Sequence, residues 1–162
     1  MGTAPLPDAA EPEARWPDDL VALYRDRWEA MVRVATLLLG SRAEAEEVVQ
    51  EAFAALAPRW SAVEVPAAYL RRSVVNGATG VLRRRRTAEA HVPDPPPPEA
   101  PDQLVELRDV LLALPERQRA VLVLRYVEGL DDDAIASTLG CRRATVRSSA
   151  ARGLAAIRRE LT

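Results

Sequence analysis

The sequence contains no lysine; all 22 of its basic residues are arginine. It has one cysteine, Cys141, and one histidine, His91. A single cysteine excludes an internal disulfide and a cysteine-built zinc site. His91 stands in a proline-rich stretch, where it reads as a linker residue. Aromatic residues make up only 4% of the chain, which argues against a large aromatic-lined ligand pocket. No apolar run approaches the roughly 18–20 residues needed to span a bilayer. The first residues, MGTAPLPDAAEPEAR, are acidic and proline-rich, not basic and then apolar as in a secretory signal. A cytoplasmic protein is therefore expected. There is no glycine-rich phosphate loop, no nucleophile elbow and no acid pair beside a convincing base, so neither an enzyme nor a bound cofactor is expected.

What remains is a chain of 162 residues, 48% apolar and 28% charged, with a net charge of -2. That composition suits a soluble globular protein. Arginine offers a flat fork of donors that fits phosphates and guanine edges. A high-GC genome would also replace lysine by arginine, so the placement of the arginines carries more information than their identity.

Two stretches have little to bury. Residues 1–14 read as disordered. Thr87 to Gln103, TAEAHVPDPPPPEAPDQ, holds six prolines among acids and reads as an extended, semi-rigid tether (87–103). They delimit two lobes, 15–86 and 104–162. Both read as helix, so the expected fold class is all-α: two small helical domains joined by a Pro-rich linker. In the first lobe, Leu20, Leu23, Trp28, Met31, Val32, Ala35, Leu38 and Leu39 fall at three- and four-residue steps, and Gly40 stops the helix. Ser41 with Glu44 forms a capping box opening a second helix that ends at Pro58. Pro66 suits the first turn of a third. In the second lobe, helices are expected at Leu104–Leu114, Glu116–Val127, Asp131–Leu139 and from about Arg142 to Leu161. The last two, broken at Gly140, resemble a helix-turn-helix.

Three features carry functional weight. In the C-terminal helix pair, Ala136 fills the tight-contact position, Gly140 the turn, and Ile135, Leu139 and Val146 the shared core. From Cys141 to Arg159 there are six arginines and no acid. A basic second helix fits insertion into a major groove, against the plainer reading of a solvated basic face. Asp131, Asp132 and Asp133 precede the first helix of the pair, where capping explains them. The second feature is Arg83 to Arg86, with Arg71 and Arg72 upstream and no acid from Tyr69 to Arg86. Four adjacent arginines surround a helix end; they either contact phosphate or are simply solvated. The third is opposite in sign: Glu44, Glu46, Glu47 and Glu51, with Gln50, follow Ser41. They either complement the helix dipole or present an acidic surface to a basic partner.

AEEVVQEAF (45–53), AYLRRSVVNGA (68–78) and LPERQRAVLVLRYVEGLDDDAIASTLGC (114–141) together resemble the extracytoplasmic-function sigma factors, specifically their regions 2.2, 2.3–2.4 and 4. The resemblance covers about four-fifths of the chain, in the right order, and the composition looks actinobacterial. It implies a subunit that binds core RNA polymerase and recognises minus-ten and minus-thirty-five promoter elements, with an anti-sigma factor as a further partner. By that resemblance Glu46, Glu47, Gln50 and Glu51 dock on polymerase. The loop 59–65 with Trp60, then Tyr69, Arg72 and Asn76, meet the melted minus-ten strand, where a base is unstacked. Arg83, Arg84, Arg85 and Arg86 hold adjacent DNA backbone. Arg142, Arg143, Thr145, Arg147, Ser148 and Arg152 face the minus-thirty-five duplex.

The sequence departs from that pattern in places. Arg142 stands where the family usually has Ser or Thr at the recognition helix's cap, at a cost of about 0.5–2 kcal/mol. Ser149 replaces a residue that is often basic. Gly77 and Gly80 fall inside the third helix, costing about 1 kcal/mol each relative to alanine. Thr79, Gly80 and Leu82 replace acidic and tryptophan positions. The competing reading is an autonomous helix-turn-helix regulator, which leaves the first lobe and its acidic helix without a role.

Overall fold

A computed structural model describes residues 15–88 and 102–161. The stretch 1–14 and most of the expected tether, His91 included, lie outside them. Among the described residues there are seven α-helices, one short 3-10 helix and no strand.

Helix α1 (Asp18–Leu39) begins two residues before Leu20, because Pro17 caps it and Asp18 and Asp19 place negative charge on its first turn. Gly40 ends it at φ 78°, a left-handed conformation that favours glycine, and its N–H donates to the Thr36 carbonyl at 2.7 Å. Helix α2 (Arg42–Leu56) opens on Ser41, whose Oγ accepts the Glu44 N–H at 3.3 Å. Only that half of the capping box forms, since the Glu44 carboxylate accepts from Arg85 instead. Pro58 does not start an open loop: Ala57–Ala62 coil into a 3-10 helix, so the loop expected at 59–65 shrinks to a short extended link.

Helix α3 (Pro66–Thr87) runs unbroken through Gly77 and Gly80. The two glycines differ in kind. A Cβ at Gly77 would stand 2.9 Å from Val48 Cγ1 on α2, so the glycine is what lets the two helices approach. A Cβ at Gly80 would meet only the Arg84 side chain, at 3.5 Å. Gly80→Ala is therefore expected to stabilise the protein by about 0.4–1 kcal/mol. Gly77→Ala is expected to destabilise it by about 1 kcal/mol net, because Val48 is stiff at χ1 and the packed contact must give. Urea unfolding of the two variants measures this; equal shifts of the same sign would refute the distinction.

The second lobe begins with α4 (Asp102–Leu112), two residues earlier than expected, and continues through α5 (Glu116–Tyr126), α6 (Asp132–Leu139) and α7 (Arg143–Glu160). Asp131 caps α6, its Oδ1 accepting the Ala134 N–H at 2.8 Å, and Gly140 turns the chain at φ 66°. Ile135, Ala136 and Val146 are buried at the α6–α7 crossing, with Leu139 half-buried beside them.

The lobes are not merely tethered; they pack on each other and share one contiguous apolar core. Helix α1 touches α4 and α5, and α3 touches α6. Gly40 lies so close to Leu112 that a Cβ there would fall 2.8 Å from its Cδ1. Charged groups complete the boundary. The Glu128 carboxylate, 6% exposed, accepts from Arg27 at 2.6 Å and Arg71 at 3.3 Å. Arg86 meets Glu116 at 2.5 Å.

Candidate nucleic-acid interface

Helix periodicity sorts the first lobe's candidates. Tyr69, Arg72, Asn76 and Arg83 recur at three-, four- and seven-residue steps, so they form one stripe along α3. Arg72, Asn76 and Arg83 are exposed, while Tyr69 is half-buried against the core. Arg84 and Arg86 are exposed on either side. Arg85 is the exception: at about 100° per residue it lies about 160° round the helix from Tyr69. It turns inward, donating to the Leu39 carbonyl at 2.9 Å and pairing with Glu44. The expectation that Arg85 grips DNA backbone thus meets a side chain already engaged in the fold. Trp60, on the 3-10 helix, is half-buried against the same core. The link after it, the Tyr69 end of α3 and α6 of the second lobe enclose a cleft of about 650 Å³, with Arg59, Val65 and Arg72 facing Ser137 and Thr138.

On α7 the candidates divide into two flanks. Arg143 and Arg147, four residues apart, lie next to α6, where Arg143 Nε meets Asp133 at 3.0 Å and Arg147 Nε meets Asp132 at 3.3 Å. Thr145, Ser148 and Arg152 lie on the other flank, with Val146, Ser149, Ala150 and Gly153 buried on the core side. Ser148 and Arg152 are exposed and Thr145 is half-buried. Arg142 is exposed at the cap position, where its side chain makes no capping bond.

The acidic helix offers the opposite surface. Glu47, Gln50 and Glu51 are exposed along α2. Glu46 is half-buried and accepts from Arg42 Nε at 3.0 Å, so it is less available than its neighbours. Exposed acids thus gather on α2 and exposed arginines on α3 and α7, in a molecule whose net charge is -2.

Comparison with known proteins assigns this arrangement. A family profile described as Sigma-70 region 2 matches residues 23–88, and one described as Sigma-70, region 4 matches residues 104–157. The RNA polymerase sigma-E factor of Streptomyces coelicolor is 35% identical over 146 residues, covering 85% of this chain and 82% of that protein. The chain belongs to the extracytoplasmic-function sigma factors. The ECF RNA polymerase sigma factor SigE of Mycolicibacterium smegmatis is 31% identical, covering 94% of this chain and 64% of that protein. Among solved structures, the sigma factor RpoE of Bartonella quintana, in complex with the anti-sigma factor NepR, superposes with a TM-score of 0.76 at 20% identity. It covers 90% of this chain and 98% of its own. CnrH, in complex with the cytosolic domain of CnrY, superposes at 0.69 and 22% identity, covering 88% of this chain and 86% of its own. With both regions matched, the autonomous-regulator reading is not favoured: the first lobe has its counterpart in region 2.

Against the sigma-factor pattern, two departures read differently in the structure. Ser149 is buried at 7% exposure in α7, so this position packs against the core rather than facing outward. Gly77 is a packing device, not a helix interruption. Arg142 remains a poor cap, as its sequence implied.

The sigma factor also contains functional-looking charges that periodicity did not single out. Arg119 is 7% exposed, and its guanidinium donates to the carbonyls of Leu38 at 2.6 Å, Leu111 at 3.0 Å, Leu112 at 3.3 Å and Leu114 at 3.0 Å. Burial lowers its pKa from the ordinary arginine value, an effect that Glu116 opposes and Arg85 reinforces. Tyr24, buried among Trp16, Trp28 and Phe53, has its hydroxyl pKa raised by burial and secondarily by Glu46. Arg119 left a signal that could have been read: an arginine four residues before Val123, on the apolar face of a helix. Glu128, in a turn, left none.

Proposed function

We propose that this sigma factor docks on core RNA polymerase through the exposed acids of α2 and contacts promoter DNA through α3 and the start of α7. The observation that carries this reading is the segregation of charge: Glu47, Gln50 and Glu51 are exposed on one helix, whereas Arg72, Arg83, Arg142 and Arg152 are exposed on two others. Glu47 and Glu51 supply docking, with Glu46 contributing from a half-buried, paired position. Tyr69, Arg72 and Asn76, with Trp60 behind them, meet the separated minus-ten strand. Aromatic and guanidinium groups there can hold unstacked bases. Arg83, Arg84 and Arg86 grip nearby phosphates, and Arg85 joins them only by releasing Glu44. Arg142, Arg143, Thr145, Arg147, Ser148 and Arg152 face the minus-thirty-five duplex.

In this reading the subunit catalyses no reaction. It supplies promoter choice to the polymerase in the cytoplasm. The two similar solved structures are complexes with the anti-sigma factor NepR and with the cytosolic domain of CnrY, and an anti-sigma protein is the natural antagonist here. The test is in vitro transcription with purified core polymerase, the full chain and a genomic promoter pool. Promoter-dependent transcripts and a stable complex with core are expected. Absence of both would overturn the proposal, whereas palindrome-specific DNA binding without polymerase would point to an autonomous regulator.

A further inference from the structure

The three acids before and within the first turn of α6 do different work. Asp131 alone caps the helix, its Oδ1 on the Ala134 N–H. Asp132 and Asp133 are therefore not needed for that bond, and each instead meets an arginine of α7. Asp132 has a side chain 22% exposed and holds two partners: Oδ1 accepts from Arg125 at the end of α5, and Oδ2 from Arg147 Nε at 3.3 Å. It ties three helices together at one point. Asp133 Oδ1 stands 3.0 Å from Arg143 Nε.

Both contacts use the same atom of the arginine. The Nε is the innermost donor of the guanidinium; in Arg147 it donates a hydrogen bond that restrains the plane of the fork, whereas Arg143 and Asp133 form a charge pair without hydrogen-bond alignment. Among the described residues the terminal nitrogens of Arg143 and Arg147 have no hydrogen-bond partner. The two side chains are 56% and 64% exposed, so each is anchored at its base and open at its tip. A terminal pair of N–H donors at fixed orientation is the geometry that reads guanine O6 and N7.

Such an arrangement is costly for general attraction to DNA. Two carboxylates beside two arginines reduce the local positive charge, and phosphate affinity depends on that charge. An interface built only to grip backbone would do better without them. What acids at this position contribute is orientation, and a long side chain rich in rotamers gains most from being held in advance.

We infer that Asp132 and, more weakly, Asp133 are positioning residues that trade non-specific DNA affinity for base discrimination by pre-orienting Arg147 and Arg143. This rests on the reading of α7 as the minus-thirty-five helix. Asp132 is the stronger of the two because it is less exposed and braced by Arg125; Asp133, 69% exposed, forms a screened surface pair.

The signature is a pair of effects of opposite sign. Holoenzyme assembled from core polymerase and the full chain is bound to a promoter recovered from the transcription pool, and to the same duplex with its minus-thirty-five element scrambled. With Asp132→Asn, binding to the scrambled duplex is expected to rise about threefold, since one negative charge near phosphate is removed. The ratio of matched to scrambled affinity is expected to fall about tenfold, within the range that one bidentate base contact confers. Asp133→Asn, at an exposed site where folding is not at risk, is expected to move both quantities in the same directions by about twofold. Arg147→Ala separates the two levels of inference. If it leaves the ratio unchanged, Arg147 reads no base and the underlying assignment fails. If it collapses the ratio while both aspartate variants preserve it, Arg147 reads bases without being positioned, and the proposal is overturned. A loss of folding in Asp132→Asn, seen as lost helical circular dichroism, shifts the decision to Asp133→Asn alone.

Discussion

Replacing Arg119 with methionine is expected to lower the unfolding free energy by about 3 kcal/mol, the size seen when a buried charge network loses one member. Methionine preserves most of the apolar volume, so the loss isolates the guanidinium. That group serves the ends of two helices from different lobes. Neither α1 nor α4 carries a basic residue in its last turn, and the carbonyls of Leu38, Leu111 and Leu112 belong to those turns. The last carbonyls of a helix have no partner within it, and the end of the helix dipole is negative there. Arg119 answers both demands at once, and Arg85 adds a bond to the Leu39 carbonyl. Left without it, carbonyls sealed from water would each cost about 1–3 kcal/mol. Arg119→Lys is expected to recover less than half of the loss, because a compact ammonium cannot span carbonyls on two helices as a planar fork does. Urea unfolding followed by circular dichroism measures both variants. A loss below about 1 kcal/mol for Arg119→Met would show that relaxation or water replaces the guanidinium readily.

Reversing charge at Glu47 and Glu51 to arginine is expected to weaken binding to core polymerase by about 100-fold or more, since like charges set against each other across an interface cost several kcal/mol. Both side chains are exposed and, among the described residues, neither is hydrogen-bonded. The folded chain should tolerate the change, with one reservation built into the geometry. Glu47 and Glu51 line a small cleft with Arg84 and Arg85, so new arginines there also repel α3. The thermal midpoint must therefore be recorded beside the binding constant. Unchanged polymerase binding in a folded variant would show that α2 is not the docking helix. A parallel reversal at Glu46 should do less, because its Arg42 partner already neutralises it in part.

Much of this architecture could be read from the chain. Apolar residues at helical spacing, stopped by Gly40, Pro58 and Gly140, located the helices to within a few residues, because those signals are local. The helix-turn-helix core of Ile135, Ala136 and Val146 was legible for the same reason. What escaped was everything decided by neighbours distant in sequence. Arg85 sat in a run of four arginines with nothing to mark it as the one facing inward; only the phase of α3 relative to α1 and α2 does that. Ser149 looked like a surface position and is a core one, since a one-residue change of phase on a helix moves a side chain by about 100°. The pairing of Glu128 with Arg27 and Arg71 joins residues 101 and 57 positions apart, beyond any periodic signal.

The contact between lobes has a thermodynamic corollary. Closure sets Ser137 and Thr138 of α6 across a cleft from Arg72 and the Tyr69 end of α3. Any ligand that needs that face uncovered sees only the fraction of molecules in which the lobes have parted. Its apparent affinity is scaled down by that fraction, about tenfold for each 1.4 kcal/mol by which closure is favoured. A partner that binds both lobes while they are together suffers no such reduction. A substitution that loosens Glu128 or Arg119 would therefore favour any partner that needs the lobes apart over one that binds them together.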